Sequence, residues 1–131
     1  REFPLFEWNP DRKGWEARHH MFTMPNPEHL DRLESDPGNV YAQLYDLVLS
    51  GNELGSGSIR IHRPDIQERV MKVAGFTAEQ LRNLKEAYRI LYREQLQLAE
   101  ARDRLAALAG TQPELRILVD FIDQSERSLI R

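Results

Sequence analysis

Glycine and proline stop abruptly along this chain. Six of its seven glycines and six of its seven prolines precede residue 77, and only Gly110 and Pro113 follow. Both residue types interrupt regular helices, so the first part must be assembled from short elements joined by turns, whereas the second can form longer helices. The break at residues 73–76 divides a 131-residue chain into two small pieces.

In the first piece, residues 3–8 and 15–22 read as short strands separated by the turn-forming Asn9-Pro10-Asp11. Pro25-Asn26-Pro27 leads into a short helix over 28–34, which Asp36-Pro37-Gly38 ends. Residues 41–49 and 53–62 read as a hairpin closed at Ser50-Gly51-Asn52, and 66–73 as a short helix. In the second piece Thr77 followed by Gln80 forms a capping box. The helix after it carries Leu81, Leu84, Tyr88 and Leu91 on one face. A second helix with Leu98, Leu105 and Leu108 stops at Gly110, and Thr111-Gln112-Pro113-Glu114 offers another capping box for a third. That third helix has Leu115, Leu118, Val119, Ile122 and Leu129 at helical spacing. The expected fold class is α+β, with three C-terminal helices too short to cover one another completely.

Hydrophobic residues make up 40% of the chain, compatible with a modest core, and cysteine is absent. No disulfide framework and no thiolate metal site can form. No apolar run approaches the roughly 18 residues of a membrane span. The start, Arg1-Glu2-Phe3-Pro4, lacks a signal core, so a cytoplasmic location is expected. Residues 1–74 hold 9 basic and 12 acidic side chains, and residues 75–131 hold 9 of each. Neither piece is a basic patch, which argues against autonomous nucleic-acid binding.

Chemistry concentrates in Glu53-Leu54-Gly55-Ser56-Gly57-Ser58-Ile59-Arg60-Ile61-His62. Arg60 offers a fork for a carboxylate, and Glu53 could hold an amine, a ribose or a magnesium ion. Seven positions separate them, so a regular strand would turn them to opposite faces, unless a bulge within residues 55–57 shifts the phase. The plainer alternative is an edge strand bent by its glycines, with both charges solvated. His19 and His20, being adjacent, cannot chelate one metal from a strand, and no metal site is expected. No Ser-His-Asp order, P-loop or dinucleotide fingerprint is present, so no catalytic residue is assigned.

Four phrases stand in family order: Phe3-Pro4-Leu5-Phe6-Glu7-Trp8, Ala17-Arg18-His19-His20-Met21-Phe22-Thr23-Met24-Pro25, Tyr45-Asp46-Leu47-Val48-Leu49 and the run from Glu53 to His62. Together residues 1–74 resemble the catalytic domain of bacterial aspartyl-tRNA synthetase. The resemblance implies a partial class II antiparallel sheet with short helices. It implies aspartate-binding roles for His19 and Arg60, with His20 supporting the loop, and a place for Glu53 at the ATP and magnesium site. The family's upstream and downstream ATP-binding motifs and its anticodon-binding domain lie outside the resemblance. It therefore implies a fragment that binds L-aspartate weakly and neither ATP nor magnesium tightly, engages no tRNA, and is not competent alone.

From Gly75 onward, Ala87-Tyr88-Arg89-Ile90-Leu91-Tyr92-Arg93 and the closing Ser125-Glu126-Arg127-Ser128-Leu129-Ile130-Arg131 resemble the C-terminal helical domain of UDP-N-acetylglucosamine acyltransferase of lipid A biosynthesis. That family's enzyme is a trimer on a parallel β-helix, which implies self-association through the helices. Its repeats and catalytic histidine have no counterpart here, so no acyltransferase site residue carries over. The whole reads as a chimera of residues 1–74 and 75–131. The alternative to a synthetase-derived fragment is a structural or oligomerising module, or a join without a function of its own.

Overall fold

The computed structural model describes residues 3–125. It divides into two compact units, Arg1–Phe76 and Thr77–Arg131, each with its own hydrophobic core. The class is α+β, as the pattern of elements predicts.

The antiparallel sheet of the first unit is present as three two-stranded pieces. Strand β1 (Phe3–Pro4) pairs with β4 (Tyr41–Ala42), β2 (Phe6–Asn9) with β3 (Gly14–Ala17), and β5 (Leu44–Leu49) with β6 (Asn52–Ser58). The β2–β3 turn forms where expected, because the Asn9 Oδ1 accepts the N–H groups of Asp11 and Arg12 at 3.0 Å each. The strand expected over 15–22 stops at Ala17 instead. Residues 20–23 close a turn, with Thr23 N–H donating to the His20 carbonyl, which ends the extended run. The expected 28–34 helix is a 3-10 helix, Pro27–Arg32, and a second one, Pro37–Asn39, follows.

The hairpin closes through Ser50 and Gly51, both at positive φ (50° and 83°), the two-residue turn whose twist suits antiparallel strands. Its strands are shorter than expected because each end pairs elsewhere. Tyr41–Ala42 turns to β1, and residues 59–61 bond to the 22–24 segment through Met24 N–H to the Ile59 carbonyl and Ile61 N–H to the Phe22 carbonyl.

Helix α1 (Pro64–Val73) starts with proline, whose missing N–H costs nothing in a first turn. It buries Ile66 and Val70, four apart, against Leu5, Phe6, Met24, Leu33 and Val40. Arg69 anchors its outer side: Nε and Nη2 reach the two Glu34 oxygens at 2.5 and 2.7 Å, and Nη2 also reaches the Leu30 carbonyl. That fork holds the Glu34 carboxyl below its usual range. The helix ends at Gly75 (φ 91°), where Phe76 N–H bonds the Met71 carbonyl and Gly75 N–H the Lys72 carbonyl. This is the paired closure that a left-handed glycine permits.

The second unit holds α2 (Ala78–Tyr92), α3 (Leu98–Ala109), the 3-10 turn Pro113–Leu115 and α4 (Arg116–Gln124). The capping box opening α2 forms in both directions: Gln80 N–H to Thr77 Oγ1 at 3.1 Å and Thr77 N–H to Gln80 Oε1 at 2.9 Å. The buried stripe of α2 is Leu81, Ala87, Ile90 and Leu91. Tyr88, expected on that face, is exposed and stacks its ring on Tyr92 at 5.1 Å. The stripe is set by what faces it, namely Ala101 and Leu105 of α3 and Leu115, Val119 and Ile122. The capping box expected at Thr111 does not form. Thr111 still belongs to the turn closing α3, its Oγ1 bonding back to the Leu108 carbonyl at 3.1 Å. Gly110 accordingly stays in the right-handed region, φ −65°. Leu129, expected on the α4 face, lies outside the described residues.

Candidate functional site

Of the four candidate residues, the fold brings His20 and Arg60 into contact. Thr23 and Arg60 form an isolated antiparallel bridge, which fixes the residue-20 turn beside the end of the hairpin. The Arg60 Nη1 donates to His20 Nδ1 at 2.9 Å and also approaches Nε2. His20 Nδ1 faces the Phe22 N–H as well, at 3.3 Å, and the buried Thr23 hydroxyl lies 3.2–3.3 Å from both ring nitrogens. Arg60 can only donate, so the ring nitrogen that takes its N–H must be unprotonated.

An imidazole that accepts from a guanidinium must be neutral. The His20 pKa is lowered, first by burial, then by the Arg60 charge and by His19. The sign follows from linkage. A folded-state value below the ordinary 6.5 means that the unfolded chain takes the proton first. The contact therefore supports the fold fully above pH 6.5 and is lost as pH falls through the lower folded value. We expect thermal stability to drop on acidification below pH 6.5, and the drop to shrink in His20→Gln, which cannot titrate there. Equal acid sensitivity in both chains would discount the contact.

His19 is exposed and its ring sits edge-on to Phe3, 6.1 Å between centroids, so it is not part of the Arg60 contact. Glu53 lies near the turn end of β6, also exposed, seven residues from Arg60. At about 3.3 Å per strand residue that is roughly 20 Å of chain. The expected phase shift exists but sits earlier than residues 55–57. Leu47 pairs with Gly55 and Val48 with Glu53, leaving Leu54 as the extra residue. By alternation this brings Glu53 into phase with Ser56, Ser58 and Arg60.

The protein side offers no metal cage of its own at Glu53. Among the described residues no three His, Cys, Asp or Glu side chains converge, and Glu53 is one exposed carboxylate. Sequence reading passed over Thr23, a lone hydroxyl in an apolar run, and His29, which is buried and accepts the Tyr41 N–H at 3.0 Å through Nδ1. Nothing local to either residue announces those partners.

The profile of the family described as UDP-N-acetylglucosamine O-acyltransferase, domain 2, matches residues 60–130, more than half the chain. The chain belongs to this family. This acyltransferase-domain chain is at the same time similar to curated aspartate–tRNA ligases. It is 42% identical over 124 residues to the Aspartate–tRNA(Asp/Asn) ligase of Treponema pallidum strain Nichols, covering 92% of the chain and 21% of that protein. It is 47% identical over 116 residues to the Aspartate–tRNA ligase of Clostridium acetobutylicum, 85% of the chain and 20% of that protein. With the ligase of Agathobacter rectalis identity reaches 55%, over 78 residues, 60% of the chain and 13% of that protein. The chain thus spans about a fifth of the length of the first two relatives. The two likenesses overlap: the acyltransferase match begins at residue 60, before the break at residues 73–76, and ligase alignments covering 92% of the chain must run past that break. No described helix is long and apolar enough to cross a membrane.

Proposed function

We propose that the first unit is an aspartate-recognising piece of a ligase catalytic domain, continued by an acyltransferase-type helical segment. The observation that carries this reading is Arg60, fixed by the Thr23 bridge and steered by His20, in a chain 42–55% identical to aspartate–tRNA ligases. A guanidinium pairs a side-chain carboxylate with two parallel bonds, each charge-assisted bond contributing about 1.5–3 kcal/mol. His20 is the polar group in contact with Arg60, and His19, turned toward Phe3, is proposed only as a more distant contributor. Arg60 is exposed, so the sum corresponds at best to roughly millimolar affinity, about 4 kcal/mol.

Adenylate formation is a separate demand. Glu53 alone supplies no phosphate clamp, so the 131-residue polypeptide by itself should show background pyrophosphate exchange with aspartate, ATP and magnesium. Titration calorimetry tests the pocket. We expect weak heat with aspartate, none with asparagine, and none with aspartate in Arg60→Ala. Aspartate binding unchanged in Arg60→Ala would remove Arg60 from the site, and exchange above background that disappears in Arg60→Ala would overturn the fragment reading.

One observation favours a second role, association through the helices. Ile117 (79% exposed) and Phe121, four residues apart on α4, lie outside the core formed by Leu115, Val119 and Ile122.

A further inference from the structure

We infer that Thr23 is a positioning residue for Arg60: its buried hydroxyl takes the ring N–H of His20 and so turns the bare ring nitrogen toward the guanidinium. The inference rests on the reading of Arg60 as the carboxylate site for what the aimed fork would hold. Register brings the three side chains together. Met24 N–H bonds the Ile59 carbonyl and Ile61 N–H the Phe22 carbonyl, one residue to either side of the Thr23–Arg60 bridge. Thr23 and Arg60 are therefore a pair with no direct bonds between them, the kind in which opposed side chains leave the same face and come closest. His20, three residues before Thr23 across the turn, contacts both. The Thr23 Oγ1 is 3.2 Å from Nδ1 and 3.3 Å from Nε2, and the Arg60 Nη1 is 2.9 Å from Nδ1.

The donor and acceptor inventory fixes what each group does. A neutral imidazole has one bare nitrogen and one N–H, and a guanidinium has donors only. Arg60 takes the bare nitrogen, so the hydroxyl can serve the ring only by accepting from the other. Whichever nitrogen carries the proton, Oγ1 stands within reach of it. Thr23 is 1% exposed, so water does not replace that hydroxyl, whereas Arg60 faces solvent. A β-branched side chain is stiff at its first torsion, which makes the hydroxyl a fixed point among groups that rotate. The result is an exposed arginine ordered in advance, whose several torsions an arriving carboxylate would otherwise have to freeze.

Nitrogen NMR of His20 well above pH 6.5, assigned by the signals lost in His20→Gln, tests this before any ligand is added. The parent chain should show a single tautomer, with one bare and one protonated ring nitrogen. Thr23→Val keeps the shape and removes the hydroxyl, and it should average the two tautomers. In the same variant, aspartate followed by amide shifts should bind about three- to tenfold more weakly, the effect of one hydrogen bond. Thr23→Ser should restore both, with tryptophan emission reporting that each variant is folded. Mixed tautomers in the parent would overturn the proposal without any variant. So would a folded Thr23→Val with the parent's single tautomer or the parent's aspartate affinity, or a folded Thr23→Ser as mixed as Thr23→Val. If the tautomers behave as expected while the parent binds no aspartate, Thr23 is upheld as the residue that orients His20 toward Arg60, and it is the carboxylate reading that fails.

Discussion

Leu105→Ala is expected to remove much of the helical unit's stability and to lower its melting midpoint sharply. Leu105 is fully buried in α3, among Ala87, Ile90 and Leu91 of α2 and Leu115, Val119 and Ile122 on the far side. Removing a buried leucine side chain costs about 2–5 kcal/mol, because lost transfer energy is joined by the cavity left behind. A domain's whole stability is about 5–15 kcal/mol, and small units sit at the low end. The polar contacts around α3 cannot compensate. The Arg102 fork to Asp123, at 2.7 Å for both bonds, is solvent-exposed, where water screens such pairs and they add little. Far-ultraviolet ellipticity and the melting midpoint report the effect. Leu98→Ala, at the half-exposed start of the same helix, should shift the midpoint far less. Similar melting of Leu105→Ala and the parent chain would mean that the helices do not pack about this residue.

Leu33→Ala should have a comparable effect on the first unit and a larger one on binding. Leu33 follows the Pro27–Arg32 turn and is fully buried with Leu5, Phe6, Met24, Val40, Ile66 and Val70. The same cost of about 2–5 kcal/mol applies. Met24, a neighbour in that cluster, is held by the Ile59 carbonyl, one residue from Arg60. Loosening the core therefore loosens the Thr23–Arg60 bridge, and aspartate affinity should fall together with the folded fraction. Both tryptophans, Trp8 and Trp15, lie in this unit, and their rings meet edge to face 5.5 Å apart. Tryptophan emission thus follows its melting without interference from the helices. Undiminished aspartate heat in a Leu33→Ala chain whose tryptophan signal has melted would separate binding from the fold.

What could be read in advance was what is encoded locally. The Thr77–Gln80 capping box, the Ser50–Gly51 turn and the stop of α3 at Gly110 involve residues within a few positions of one another, and each forms. The local box expected at Thr111 failed, because its hydroxyl stays with the turn closing α3, and features set by a distant partner went astray as well. The ladder's extra residue was expected among the glycines, since they bend most easily, but the register against Val48 and Leu47 places it at Leu54. Tyr88 sits at leucine-like spacing, yet α3 and α4 meet α2 along Ala87, Ile90 and Leu91 instead. The His20–Arg60 contact spans forty residues. Residue types suggested that Arg60 could grip a carboxylate, and only the fold showed what steers it.

The close of α1 also bears on how such a chain tolerates change. With Gly75 and Phe76 bonding back to the Lys72 and Met71 carbonyls, the last turn satisfies its own acceptors, and Thr77 then starts α2 by satisfying its own donors. One helix is punctuated before the next begins. Neither end takes hydrogen-bonding help from the sequence beyond it, so these three residues make a natural point of exchange. A segment on either side could be exchanged here without breaking the hydrogen bonds that close α1 and open α2.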